Sequence, residues 1–235
     1  MQLSLKIGRI TLQSQQHVAV VYAIGDIGPG GGRVFYADVN GFNCGATFSA
    51  TGSPDGGLCH YLEVAPNTWD GVTSDPDSRY ALLTANTDIA GISNDSTPYN
   101  NALGIGLGYK NTIAIFNADN STARGAGAAR GYQGGGLSDW YIPTSAELNL
   151  LCQWARGVTQ NVAVKCTGGN DNLIWDSGQG IFNGQSNPVS FGVSKPYWTS
   201  SESPSFSWVQ YLNSSGNQDP NAKGDTNYVR PIRAY

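Results

Sequence analysis

Glycine most limits the folds open to this chain: 31 of its 235 residues are Gly, and a further 11 are Pro. Glycine costs helices and strands backbone entropy, and proline removes a backbone donor, so long regular elements are excluded. Short strands, short helices and long connections remain. Charged residues make up 13%, against a usual share of roughly 25%, so the surface is mostly uncharged and polar. Hydrophobic residues at 40% suffice for a buried core, in one large domain or two small ones. A net charge of −4 provides no basic face for nucleic acid. No apolar run approaches the roughly 18 residues of a membrane span, so no membrane insertion is expected.

Residues 1–23 alternate apolar and polar side chains (Leu3, Leu5 and Ile7, then Val18, Val20 and Tyr22), the pattern of strands with one buried face. They read either as a β arm that pairs with a neighbouring subunit or as strands completing the domain's own sheet. The opening MQLSLKIGRITLQSQQ interrupts every apolar pair, so export through an ordinary signal peptide is not expected. The turn Gly28-Pro29-Gly30-Gly31-Gly32 precedes a strand at Arg33–Ala37. It lacks the Lys-Ser/Thr and the following helix of a phosphate loop, so phosphate binding is rejected. A long loop follows at Gly41–Gly57, then a strand at Tyr61–Ala65 that Pro66 ends.

Two helices are expected between Gly108 and Gly131, one opening at Thr112–Phe116 and one over Ala123–Tyr132. A third is better marked. Thr144 and Glu147 have capping-box spacing, and Leu148, Leu151, Cys152 and Ala155 then share one face.

The cysteines form two sequence-local pairs with no Cys-x-x-Cys. Two disulfides, Cys44–Cys59 and Cys152–Cys166, are the favoured reading, each contributing about 3 kcal/mol by loop closure. Four reduced core cysteines are the alternative. Disulfides without a signal peptide point to a protein released by lysis, such as part of a virus particle.

Six further segments occur in a recognisable order: Gly28–Tyr36, Tyr61–Pro66, Gly131–Thr144, Ala146–Asn149, Tyr197–Glu202 and Tyr228–Tyr235. Over residues 24–235 the chain resembles a large bacterial and phage family of uncharacterised lectin-like domains. It is similar to the C-terminal domain of a collagen-like bacterial adhesin, and more distantly to formylglycine-generating enzymes and phage tropism determinants. The resemblance implies an α+β, C-type-lectin-like fold: a small twisted antiparallel sheet, two or three helices, and loops that carry the binding face. Tyr228–Tyr235 would be one strand, with Arg230 and Arg233 paired to acids such as Asp139 or Glu202.

Catalytic groups are scarce: two histidines and three glutamates (Glu63, Glu147 and Glu202). Cys152 and Cys166 do not match the copper-dependent cysteine motif of the formylglycine-generating relatives. No enzyme activity, cofactor or metal is expected. Asp219-Pro220-Asn221 is the nearest approach to a calcium loop, and it is a weak one. Binding residues are expected within 203–224, at Ser205, Ser207, Gln210, Tyr211, Asn213, Ser215, Asn217, Gln218 and Asp219, with Ser214 among them. Aromatic anchors among small polar groups suit recognition loops, although a solvated loop would look similar. Trp198 and Trp208 read as core.

The function expected is a non-enzymatic binding module on a phage virion. It would join other virion subunits through its arm, as a homo-oligomer, and contact host surface glycans or proteins through its C-terminal loops. The alternatives are a decoration or tail component, or an adhesin on the bacterial cell surface.

Overall fold

A computed structural model describes residues 20–44, 57–66, 69–71, 78–94, 104–169, 196–213 and 215–235. Along the chain run β1 (Arg33–Cys44), β2 (Gly57–Val64), β3 (Arg79–Tyr80), α1 (Gly108–Ala118), α2 (Gly125–Gly131) and α3 (Ser145–Ala155). They are followed by β4 (Tyr197–Ser203), β5 (Phe206–Gln210), β6 (Gln218–Ala222), β7 (Asn227–Tyr228) and β8 (Ile232–Ala234). The class is α+β, and the longest described element has 12 residues.

The strands form two sheets rather than the single small antiparallel sheet expected. One is antiparallel, in the order β1-β2-β8; the other runs β3-β7-β4-β5-β6, with β4 and β7 parallel. The expected terminal strand Tyr228–Tyr235 is divided between them. Pro231 has no amide hydrogen, so the ladder stops there. Consequently β7 pairs with β3 and β4, while β8 pairs with β2. The start of the expected Gly41–Gly57 loop instead extends β1 past an irregularity between Ala37 and Phe42. Residues 45–56 of that loop lie outside the described residues, as do residues 1–19 of the expected arm. Tyr22, from the arm's end, packs edge-on to Tyr61 and Tyr235, each at 5.5 Å.

Helix α1 begins at Gly108, one turn before the expected Thr112. The Thr112 hydroxyl instead bonds back to the Gly108 carbonyl and accepts from the Ile142 amide, joining the helix to the segment before α3. Helix α3 has the expected capping box. The Thr144 hydroxyl accepts from the Glu147 amide at 3.1 Å, and the Glu147 carboxylate accepts from the Thr144 amide at 2.7 Å.

Two apolar clusters form the interior. One gathers Phe35, Leu62, Tyr141, Leu148, Leu151, Tyr197 and Ile232; the other gathers Leu82, Ile115, Trp140, Ile142, Trp198, Val209 and Val229. Neighbouring residues in extended chain face opposite ways, so Trp140 and Tyr141, like Tyr197 and Trp198, divide between the clusters. Both expected disulfides are present and buried in the first cluster, with Cα–Cα distances of 5.9 Å for Cys44–Cys59 and 6.0 Å for Cys152–Cys166. Fully reduced cysteines are thereby set aside.

Candidate functional site

The glycine-rich turn before β1 does cradle an anion, but the anion is the protein's own. Glu63 on β2 is fully buried, and its carboxylate accepts from the amides of Gly30 at 3.1 Å and Gly32 at 2.7 Å. A Cβ on Gly30 would lie 2.3 Å from the Trp140 ring, and one on Gly32 would lie 2.0 Å from the Val64 carbonyl oxygen. Only glycine permits that approach. Arg233 completes the cluster, donating to Glu63 at 3.2 Å and in two bonds to Asp139 at 2.9 and 2.8 Å. The expected pairing of Arg233 with Asp139 is therefore present. Glu202, however, pairs with Lys223 at 2.5 Å, and Arg230 donates to the carbonyl of Ala65.

The other two glutamates are used in the same way. Glu202 accepts from the Ile89 amide, joining β4 to the 84–92 segment. Glu147 accepts from the Gly106 and Thr144 amides and from the Tyr141 hydroxyl. Burial outweighs these donors and pushes the Glu147 carboxyl up to about 7. Burial likewise raises Glu63 against its two glycine amides and Arg233, and raises Glu202 against Lys223. Each carboxylate fastens a loop to the sheet or helix behind it. Among the described residues no three His, Cys, Asp or Glu side chains gather as a metal site.

The expected recognition stretch is a β-hairpin: β5 and β6 with the turn between them, rather than one irregular loop. Three of the binding residues expected there are buried. Ser207 lies on β5 across from Glu202. Gln210 donates to Asn149 of α3 at 3.2 Å and accepts from Gln218 at 2.9 Å; Gln218 also donates to the Ser145 carbonyl at 2.7 Å. Trp208 and Trp198 are buried, consistent with core roles. Ser205 is exposed in the β4–β5 turn, and Asp219 is exposed on β6, an edge strand.

Tyr211, Asn213, Ser215 and Asn217 come together at the β5–β6 turn; Ser214 lies outside the described residues. That tip is held firmly. The Asn213 side-chain oxygen accepts from the amide and hydroxyl of Ser215 and from the Gly216 amide. Asn217 accepts from Lys165, and Gly216 packs so closely on the Cys166 carbonyl that a Cβ would sit 1.6 Å from it. The Cys152–Cys166 disulfide thus backs the tip.

A concavity elsewhere on the molecule has no counterpart in the sequence reading. Trp69, Tyr80 and Tyr132 line an open groove of about 360 Å³ with Asp70, Thr122 and Gln133, floored by Gly127, Ala128 and Gly131 of α2. Trp69 stands edge-on to Tyr132 at 6.0 Å and lies 6.3 Å from Tyr80. Tyr132 rests on Trp140 at 4.9 Å. These residues are scattered from 69 to 133 and share no spacing, so no sequence signal joins them. Compared with known proteins, the chain matches no family model, and no curated protein resembles it in sequence.

Proposed function

We propose that the chain is a non-enzymatic, lectin-like binding module of C-type-lectin-like fold, exposed on a phage particle, that contacts host surface glycans or proteins through the end of its β5–β6 hairpin. The observation that carries this reading is the hydrogen-bonded tip. Tyr211, Asn213, Ser215 and Asn217 stand at the surface or half-buried on a turn whose described residues are tied by their own hydrogen bonds and backed by the neighbouring disulfide. A binding surface ordered in advance loses less entropy when it engages a partner. The two disulfides support a site of action outside a reducing cytoplasm.

The second reading, a decoration or tail component, has its own support. Val20, Val21, Ile24 and Ile27 are exposed where the N-terminal segment meets the domain, and Val39 on edge strand β1 is 91% exposed. Such surface suits a neighbouring subunit. Immunogold electron microscopy of intact particles, with antibody to residues 203–224, separates the two. Label at a tail or fibre tip supports host recognition, and even label over the capsid favours decoration. No label on any particle overturns the virion reading.

A further inference from the structure

We propose that the groove beside α2 is a second binding site, for a neutral saccharide unit, on a part of the molecule that the hairpin reading does not involve. Tyr80 lies on β3, at one edge of the five-stranded sheet, and β6 of the hairpin forms the other edge.

Three features select the ligand class. First, the walls are aromatic. Tyr80 and Tyr132 are half-buried and present the open faces, while Trp69 is buried beside them, its ring centroid 6.0 Å from Tyr132 and 6.3 Å from Tyr80. Aromatic faces take up the C–H face of a pyranose ring, which is flat and apolar although its rim is hydroxylated. Second, the polar groups at the rim are a carboxylate, an amide and a hydroxyl: Asp70, Gln133 and Thr122. The Asp70 carboxylate accepts from the Ser78 amide at 2.7 Å, which fixes it at the rim. Third, among the described residues that line the groove none is Lys or Arg, so they offer no cation to a phosphate, sulfate or carboxylate ligand. Acceptors and donors around apolar rings, without positive charge, match an uncharged polyol.

Size and shape agree. A volume of about 360 Å³ lies near the lower end of the roughly 300–1,000 Å³ of small-molecule sites, and the groove is open along one side. It therefore suits one or two sugar rings of a longer chain. Small side chains on α2 keep it open. A Cβ built on Gly131 meets nothing within 4 Å, so that position borders empty space.

Gly131 also supplies the test. Gly131→Gln would occupy the groove without meeting backbone, and Tyr132→Leu would remove an aromatic wall. Gln133→Ala, at an exposed position, serves should either variant fail to fold. The full chain and its variants are titrated by saturation-transfer NMR with methyl glycosides of hexoses and N-acetylhexosamines and their disaccharides. The expected result is millimolar binding of at least one neutral saccharide, weakened about tenfold or more by Gly131→Gln and Tyr132→Leu at unchanged melting temperature. Absence of binding by every saccharide overturns the proposal, as does binding insensitive to both groove variants. Saccharide binding lost in Asn213→Ala but kept in Gly131→Gln overturns it while supporting the hairpin reading.

Discussion

The β5–β6 hairpin and the groove beside α2 occupy opposite edges of one sheet, and composition misleads about each in the opposite direction. The hairpin is rich in Ser, Asn and Gln, yet Ser207, Gln210 and Gln218 face inward. The groove is lined by Trp and Tyr, residue types that usually fill cores, yet only Trp69 is buried, and Tyr80 and Tyr132 stand half-exposed at a surface concavity. Covering on both sides explains the hairpin: α3 packs on one face of β5, and Val209 enters the second cluster on the other. Polar residues trapped there must satisfy one another, which the Asn149–Gln210–Gln218 chain does. The difference teaches that polarity identifies a binding residue only where no other element covers the strand.

The largest effect expected concerns what lies beneath the groove. Arg233 sits 6.0 Å from the Trp140 ring on which Tyr132 rests, and it pairs with both Glu63 and Asp139. Arg233→Met should cost about 3–5 kcal/mol in urea unfolding, because a buried carboxylate loses its cation. A cost below about 1 kcal/mol would mean that the ion cluster does not support the groove.

Next comes the start of α3, which holds the hairpin amides. Its Glu147 has a folded pKa of about 7, above the ordinary 4.5. The native state therefore holds this proton more tightly than the unfolded chain. The stabilisation is complete below pH 4.5 and is lost as pH rises towards 7, by about 3 kcal/mol for a shift of this size. Glu147→Gln cannot ionise, so its unfolding free energy should fall less between pH 4.5 and 8 than that of the parent chain. Parallel profiles would show that the buried carboxyl does not titrate in this range.

The hairpin interior should be intermediate. Gln210→Ala deprives Gln218 of an acceptor and Asn149 of a donor, at about 1–3 kcal/mol by chemical denaturation. A stable variant that loses ligand binding would make Gln210 a recognition residue and break the comparison. The smallest effect belongs to the exposed Asp219, where Asp219→Ala should stay within about 0.5 kcal/mol of the parent in the same assay. A larger loss would show that edge strand β6 depends on that carboxylate.

Local physics made parts of the fold readable in advance. The α3 capping box needs only Thr144 and Glu147 three residues apart. The disulfides link cysteines only 15 and 14 positions apart, so loop closure alone favoured those partners. The pairing of Arg233 with Asp139 was anticipated, but its contact with Glu63 spans 170 positions and Lys223 was not singled out. At the candidate site, the tip residues lie close together in sequence and could be singled out as a group, whereas the burial of Gln210 depends on α3, some sixty positions earlier in the chain.

By itself, then, the sequence determined short elements, the capped third helix, the local disulfides and a weakly charged surface, because each follows from neighbouring residues or from composition. The tertiary structure alone decided that the glycine turn receives Glu63, that the chain's end divides between two sheets, and that Trp69, Tyr80 and Tyr132 share one groove. Such contacts join distant positions whose closeness is set by the packing of whole sheets, and no local preference encodes them.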